Sequence, residues 1–416
     1  MVKFFWFLLV SLFFLIILRN YPLMSMLLCS LTLITYIAVI IRPKFIIFIY
    51  FYPLIVFFLS FFYNRPFLEL GDNVGYTGPL RNSLAFYDAN DNSGFLTNIQ
   101  TLEGLSYLKI GFLPIILIPD YLYDFNNDIV YYFFQALFFL FLVAIVACYI
   151  SKVKSLTVLD NKNLITFLLL SPTIFLLGST PSRTFFTLFS LVLFIVAFID
   201  LNDKITFRSF FIFFISIIFT IISKQSYLIA YLIFLIFYYR NVKIRIFYKF
   251  SLFTLLIFII GWTLSYYSDW FESTSATGLG NFNSVLNIPI IGPLSKYFFN
   301  ILSPFPFYRY SMLSDDFFGG NVLFFLLHIL SFILIVVMIT NLIVNYRSEK
   351  NIHIFAQFGL IMSLTILPAS AGFNGYIAIF YPFFSNYFIS KNNTVIILIT
   401  IIFLLVFNII YYFIFN

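Results

Sequence analysis

The sequence predicts an all-α, polytopic integral membrane protein. Three observations carry that prediction: 62% of the 416 residues are hydrophobic, 9% are charged, and apolar runs recur from Phe4 to Phe415 between short polar breaks. So few charges cannot clothe a water-facing surface. A helix needs about 20 apolar residues to cross a bilayer core, so the runs allow about 12 to 14 spans. The whole chain, residues 1–416, reads as one integral domain without a linker, a low-complexity tract or a soluble module. The many Phe residues say little about function, because aromatic side chains in such runs face lipid or fill the core.

The first run, Phe4 to Leu18, follows Met1-Val2-Lys3 in the manner of a signal peptide. Arg19-Asn20-Tyr21-Pro22 offers no small-residue cleavage site, so the run is expected to be the first span. Cys29 and Cys148 both fall inside apolar segments, which leaves no disulfide framework and no zinc site to expect.

Placing Lys3 in the cytoplasm and letting each run cross once sorts the charges. The inside turns then hold Lys3, Arg42, Lys44, Lys152, Lys154, Lys162, Lys204, Arg208, Arg240, Lys243, Arg245, Lys249, Arg347, Lys350 and Lys391, fifteen of the 23 basic residues. That is the bias of cytoplasmic loops. The other face carries two long extracytoplasmic loops, 63–128 and 268–321, with twelve of the 16 acids. Within the first, Ile110 to Leu122 is broken by Pro114 and Pro119 and is expected to be an interfacial or re-entrant helix, since a crossing there would invert the charge bias beyond it.

Three segments, 163–200, 209–239 and 354–390, are too long for one comfortable span, and the second is too short for two. Each is interrupted by polar or small residues: Gly178-Ser179-Thr180-Pro181-Ser182-Arg183, Ser223-Lys224-Gln225-Ser226, and Ser370-Ala371-Gly372-Phe373-Asn374-Gly375-Tyr376. The expected geometry is a helical hairpin whose outer turn lies below the membrane surface and lines a polar basin. For 209–239 the alternative is one tilted helix of roughly 30 residues with Lys224 snorkelling.

The outer cations are Arg19, Arg65, Arg81, Lys109, Arg183, Lys224, Lys296 and Arg309. Arg19, Arg65 and Lys296 read as interfacial anchors. Arg183 and Lys224 fall at short hairpin turns with no acid nearby in sequence, so a loop carboxylate or a ligand phosphate is the expected partner. Arginine grips two phosphate oxygens with its planar fork, and lysine supplies a point charge. The first loop sets Glu69, Asp72, Asp88, Asp91 and Glu103 among Tyr76, Tyr87 and Tyr107. Carboxylates beside aromatic rings suit a saccharide site; a solvated loop is the plainer alternative. Asp88-Ala89-Asn90-Asp91-Asn92-Ser93-Gly94 is no calcium loop, because its twelfth position is Ile99, where a bidentate Glu is required.

The second loop carries Asp269, Glu272, Ser303-Pro304-Phe305-Pro306-Phe307-Tyr308-Arg309-Tyr310 and Asp315-Asp316, and His328 follows in the next run. His328 is either a core histidine or a base. The chain contains no Walker loop, GxSxG, HExxH or dinucleotide fingerprint, so no cofactor is expected, and nucleic acid is not an expected partner.

This layout resembles the Wzy-type polymerases of O-antigen and capsular polysaccharide repeat units, and more distantly the lipid-carrier-dependent GT-C glycosyltransferases. The likeness rests on the acidic, Tyr-containing outer loop, on Ser182-Arg183 followed one hairpin later by Lys224-Gln225-Ser226, and on Pro304-Phe305-Pro306 with Arg309 and Gly320. The chain departs from the pattern at Lys224-Gln225-Ser226, where relatives often carry His, and at Asn374-Gly375-Tyr376, where an Arg can occur. The resemblance implies transfer of a growing glycan from undecaprenyl diphosphate to an incoming lipid-linked repeat unit, at the outer face of the bacterial inner membrane. A flippase and a chain-length regulator are implied partners. Under it, Arg81, Arg183, Lys224, Arg309, Tyr87 and Tyr308 would bind substrate and its diphosphate. Asp88, Asp91, Glu103 or His328 would take the proton of the attacking hydroxyl.

Two other classes compete. A GT-C glycosyltransferase or glycan ligase would place a tight acidic motif directly after the first span, whereas here the acidic loop follows the third. A flippase of lipid-linked sugar would show two related halves, and no internal repeat is seen.

Overall fold

The computed structural model describes residues 2–18, 20–43, 46–51, 128–171, 184–224, 227–239, 333–334, 336–344, 353–366, 380–387, 402 and 406. Among these the regular structure is entirely helical, with no strand. The chain divides into two compact units, Met1–Gln225 with Asp316–Gly319, and Ser226–Asp315 with Gly320–Asn416.

The first unit contains α1 (Val2–Ile17), α2 (Pro22–Ile41), α3 (Ile46–Tyr50), α4 (Asp128–Ile150), α5 (Val158–Leu170), α6 (Thr184–Asp203) and α7 (Phe207–Lys224). Local chemistry sets several of their ends. Pro22 starts α2, where its missing N–H costs nothing. Arg42 closes α2 in the left-handed region at φ 51°, its N–H donating to Ala38 O at 3.1 Å, and Pro43 cannot continue the helix. A capping box opens α5: Asp160 N–H donates to Thr157 Oγ1 at 3.1 Å and Thr157 N–H donates to Asp160 Oδ2 at 3.0 Å. Thr206 and Ser209 open α7 the same way, each backbone N–H donating to the other's hydroxyl at 3.1 Å.

The caps explain two departures from the expected boundaries. The segment expected to begin at 163 starts its helix at Val158, because Thr157 satisfies the first turn ahead of the polar run Asp160-Asn161-Lys162-Asn163. Lys162, expected in a turn, is therefore helical, and Arg208 likewise lies in the first turn of α7.

Side-chain pairs give the helix directions. Helices α1 and α2 are antiparallel: Phe4 and Phe7 pack on Tyr36 with ring centroids at 5.4 and 5.3 Å, the Cys29 thiol donates to Ser11 O at 3.0 Å, and Ser25 Oγ donates to Phe14 O at 3.1 Å. Tyr36, late in α2, lies beside Cys148, late in α4. Helix α6 runs parallel to α4, through Phe138–Phe186 at 5.6 Å, Phe139–Phe189 at 5.7 Å and Tyr149–Asp200 at 3.1 Å. After the 204–206 turn, α7 returns antiparallel to α6, with Phe194 on Phe213 at 5.0 Å. Helix α5 packs on α4, α2 and α3.

These directions bring the ends of α2 and α4, the start of α5 and the α6–α7 turn to one end of the unit. Arg42, Lys152, Lys154, Lys162, Lys204 and Arg208 all lie there, and they are all the basic residues whose side chains are described. Three of the inside turns expected from the charge pattern therefore share an end.

Helix α7 is divided unusually. Ser209, Ser216, Thr220 and Ser223 are buried, whereas Phe207, Phe210, Phe211, Phe214, Ile218 and Ile221 are exposed. Small residues on the covered face let α6 and α7 approach closely. Ser216 and Thr220 satisfy their hydroxyls on Phe213 O and Ser216 O, at 2.6 and 2.8 Å. By length and composition, Pro22–Ile41 and Phe186–Asp203 are long and apolar enough to cross a membrane.

The second unit contains α8 (Tyr227–Tyr239), a helical stretch over residues 336–344, α9 (Ile354–Ile366) and a 3-10 helix at Tyr381–Tyr387. Within 209–239, α7 ends at Lys224 and α8 begins at Tyr227, and residues 225–226 lie outside the described residues. Phe358 of α9 takes Phe234 of α8 edge-on at 5.0 Å and Phe383 at 5.1 Å. The two arms of the third expected hairpin do pack together and are antiparallel. His353, at the start of α9, meets Tyr387, while further along Gly359 meets Phe383, where a Cβ on the glycine would lie 2.8 Å from the Phe383 Cβ.

Candidate functional site

Of the residues expected to act on substrate, Arg81, Tyr87, Asp88, Asp91, Glu103, Arg183, Tyr308, Arg309 and His328 lie outside the described residues. Of the long loops, 63–127 and 268–321 do so as well. Lys224 is the last residue of α7.

The α6–α7 pairing nevertheless locates one mouth of the expected basin. Phe194 faces Phe213 and Asp200 faces Arg208, so six residues back along α6 match five residues on along α7. Continued along two straight helices, that register sets Thr184, the first residue of α6, level with Ser223 and Lys224 at the end of α7. The start of a 20-residue helix, where unpaired N–H groups favour an anion, thus lies beside the end of its neighbour. Ser223 Oγ is buried there and has no hydrogen-bond partner among the described residues. Arg183 directly precedes Thr184 in sequence. The same register sets Thr187 and Ser190, both buried in α6, level with Thr220 and the residues near Ser216.

Two polar clusters were not singled out from sequence. The first lies at the basic end of the first unit, where Asp200, its side chain 8% exposed, accepts from Arg208 Nη2 at 3.2 Å and from the Tyr149 hydroxyl at 3.1 Å. The Arg208 guanidinium also lies over the Tyr149 ring, 5.6 Å from its centroid. The sequence signal was an acid closing an apolar helix with an arginine eight residues on across a short turn; the tyrosine, 51 residues distant from Asp200, had none.

The second cluster belongs to the second unit. His353 is the N-cap of α9, its Nδ1 accepting from Phe355 N–H at 3.3 Å. Asn386 Nδ2 lies 3.3 Å from the same nitrogen, and His353 N–H donates to the Tyr387 hydroxyl at 2.9 Å. Buried Asn341 donates from Nδ2 to Tyr387 O at 2.8 Å. This network ties the 3-10 helix to α9 and to the 336–344 helix. Its histidine is engaged in structure.

No group of three or more His, Cys, Asp or Glu able to hold a metal occurs among the described residues. No family model, curated protein or solved structure matches the chain.

Proposed function

We propose that this chain is a polytopic inner-membrane glycosyltransferase that polymerises undecaprenyl-diphosphate-linked oligosaccharide repeat units at the outer face of the membrane. The observation that carries the reading is the α6–α7 register, which sets Lys224 level with the start of α6, the helix that Arg183 precedes. In this reading both cations face one diphosphate. Glycosyl transfer leaves negative charge on that group, and cations preorganised beside a helix start stabilise it most as the bond breaks. Arg309, Arg81, Tyr87 and Tyr308 would complete substrate binding, and a carboxylate from Asp88, Asp91 or Glu103, or His328, would take the acceptor's proton.

Two further features support a membrane setting. The described basic side chains share one end of the first unit, as cytoplasmic turns would. Helix α7 buries hydroxyls and exposes Phe and Ile, which suits a hydrocarbon solvent better than water.

The test is the glycan length distribution of cells carrying Arg183→Ala or Lys224→Ala. Loss of a preorganised transition-state cation costs about a hundredfold in rate, so long chains should give way to single repeat units. Undiminished long chains in both variants would remove the cation assignment. A deletion strain that accumulated lipid-linked units on the cytoplasmic leaflet would instead identify a flippase.

A further inference from the structure

The basic end of the first unit has a charge arrangement that topology alone does not require. Arg42, Lys154 and Lys204 are exposed there, and Lys152, Lys162 and Arg208 are half-exposed. Three described acids accompany these six cations, and two of them are buried and engaged within the protein. Asp160 accepts the Thr157 N–H in the capping box, and Asp200 accepts from Tyr149 and Arg208. Asp203 alone of the three is exposed. Arg208–Asp200 is the ion pair among the described residues, and Arg42, Lys154 and Lys204 have no described acid within ion-pair distance.

Apolar side chains sit beside these charges. The α6–α7 turn reads Lys204-Ile205-Thr206-Phe207-Arg208, with Ile205 82% and Phe207 84% exposed. Phe210, Phe211 and Phe214 continue the uncovered apolar strip along α7. A cation at the head of an exposed apolar strip matches a phospholipid, whose phosphate lies above its acyl chains. Tyr149 brings the parts together: Arg208 stacks on its ring, and Lys152 follows it one helical turn on, with Nζ 3.5 Å from Cys148 Sγ.

We propose that this end of the first unit is a binding surface for anionic phospholipid. The phosphates of the facing leaflet would lie against Lys152, Lys154, Lys204 and Arg208, and the acyl chains against Ile205, Phe207 and the exposed face of α7. The proposal rests on the membrane reading above and is independent of the polymerase chemistry.

The experiment uses the purified full-length chain in mixed micelles of phosphatidylglycerol and phosphatidylcholine, with retained lipids counted by native mass spectrometry. The chain should retain phosphatidylglycerol in preference. Each basic side chain near an anionic surface is worth roughly fivefold in affinity, so Lys154→Gln/Lys204→Gln should weaken the preference roughly twenty-fivefold. Asp203→Asn removes the exposed acid and should strengthen it, a change of opposite sign that a folding defect would not produce. Equal retention of the two lipids, or a preference that survives the double substitution, would overturn the proposal. So would displacement of the lipid by millimolar inorganic phosphate, which would mark a soluble-anion site. A chain washed from membranes by alkaline carbonate would fail the membrane reading before any lipid is counted, so the two failures are distinguishable.

Discussion

Gly359→Ala tests the packing of the second unit at its tightest point. A Cβ at this position would lie 2.8 Å from the Phe383 Cβ, and 3.2 and 3.4 Å from the Phe384 ring atoms Cζ and Cε2. Carbon atoms pack at about 3.5–4.0 Å, so Phe383 must retreat by roughly 0.7 Å or more. Its Cβ moves only with the backbone of the 3-10 helix, which is held by Asn341 Nδ2 on Tyr387 O at 2.8 Å and by His353 N–H on the Tyr387 hydroxyl at 2.9 Å. Overpacking of this kind costs about 1–3 kcal/mol. Alanine recovers about 1 kcal/mol of helix propensity over glycine, which leaves a net loss on the order of 1 kcal/mol. The assay is thermal unfolding of the full chain in detergent, with hydrogen exchange of residues 353–366 to locate the loss. Adding Phe384→Leu to Gly359→Ala should recover little, because the contact with the Phe383 Cβ remains. A Gly359→Ala chain as stable as the parent, with unchanged exchange in α9, would refute the close approach.

Two other substitutions probe the polar clusters. Asp200→Asn weakens the acceptor shared by Arg208 and Tyr149; because Arg208 is 36% exposed the ion-pair part is discounted, and a loss of about 1–2 kcal/mol is expected. A double-mutant cycle with Tyr149→Phe should be non-additive, and independent losses would dissolve the cluster. His353→Ala removes the N-cap of α9 and should lower stability by about 1 kcal/mol. His353→Asn, which can accept the same N–H, should recover most of it, and equal losses for both would argue against the cap.

Much of the helical layout was legible in the sequence because its causes are local. Apolar runs set the helices, whereas the ends fixed by the polar pairs Thr157/Asp160 and Thr206/Ser209 lie ahead of the starts expected at 163 and 209. The charge pattern grouped turns that the helix directions then brought to one end. What could not be read depends on partners distant in sequence. Tyr149 reaches Asp200 across 51 residues, and Asn341 reaches Tyr387 across 46; nothing in either neighbourhood names the other. Gly359 carried only the weak signal of a glycine inside a helical run, which costs about 1 kcal/mol and so asks for a packing reason.

The proposed pairing of Arg183 with Lys224 draws on a different cause. A helical hairpin closed by a short turn pairs its residues in antiparallel register, so the pairs near the turn determine what lies beside Lys224. Phe194–Phe213 and Asp200–Arg208 follow that rule at two heights along α6 and α7. The first turn of α6 and the last of α7 must then share a level unless one helix bends. Neither contains an internal proline, and a sharp kink needs proline, a glycine-serine pair or a break in the hydrogen-bond ladder. Lys224 is on that level, and Arg183 immediately precedes Thr184 in sequence. The proposal that two cations share one anion therefore rests on the antiparallel geometry of α6 and α7, whatever glycan chemistry the chain performs.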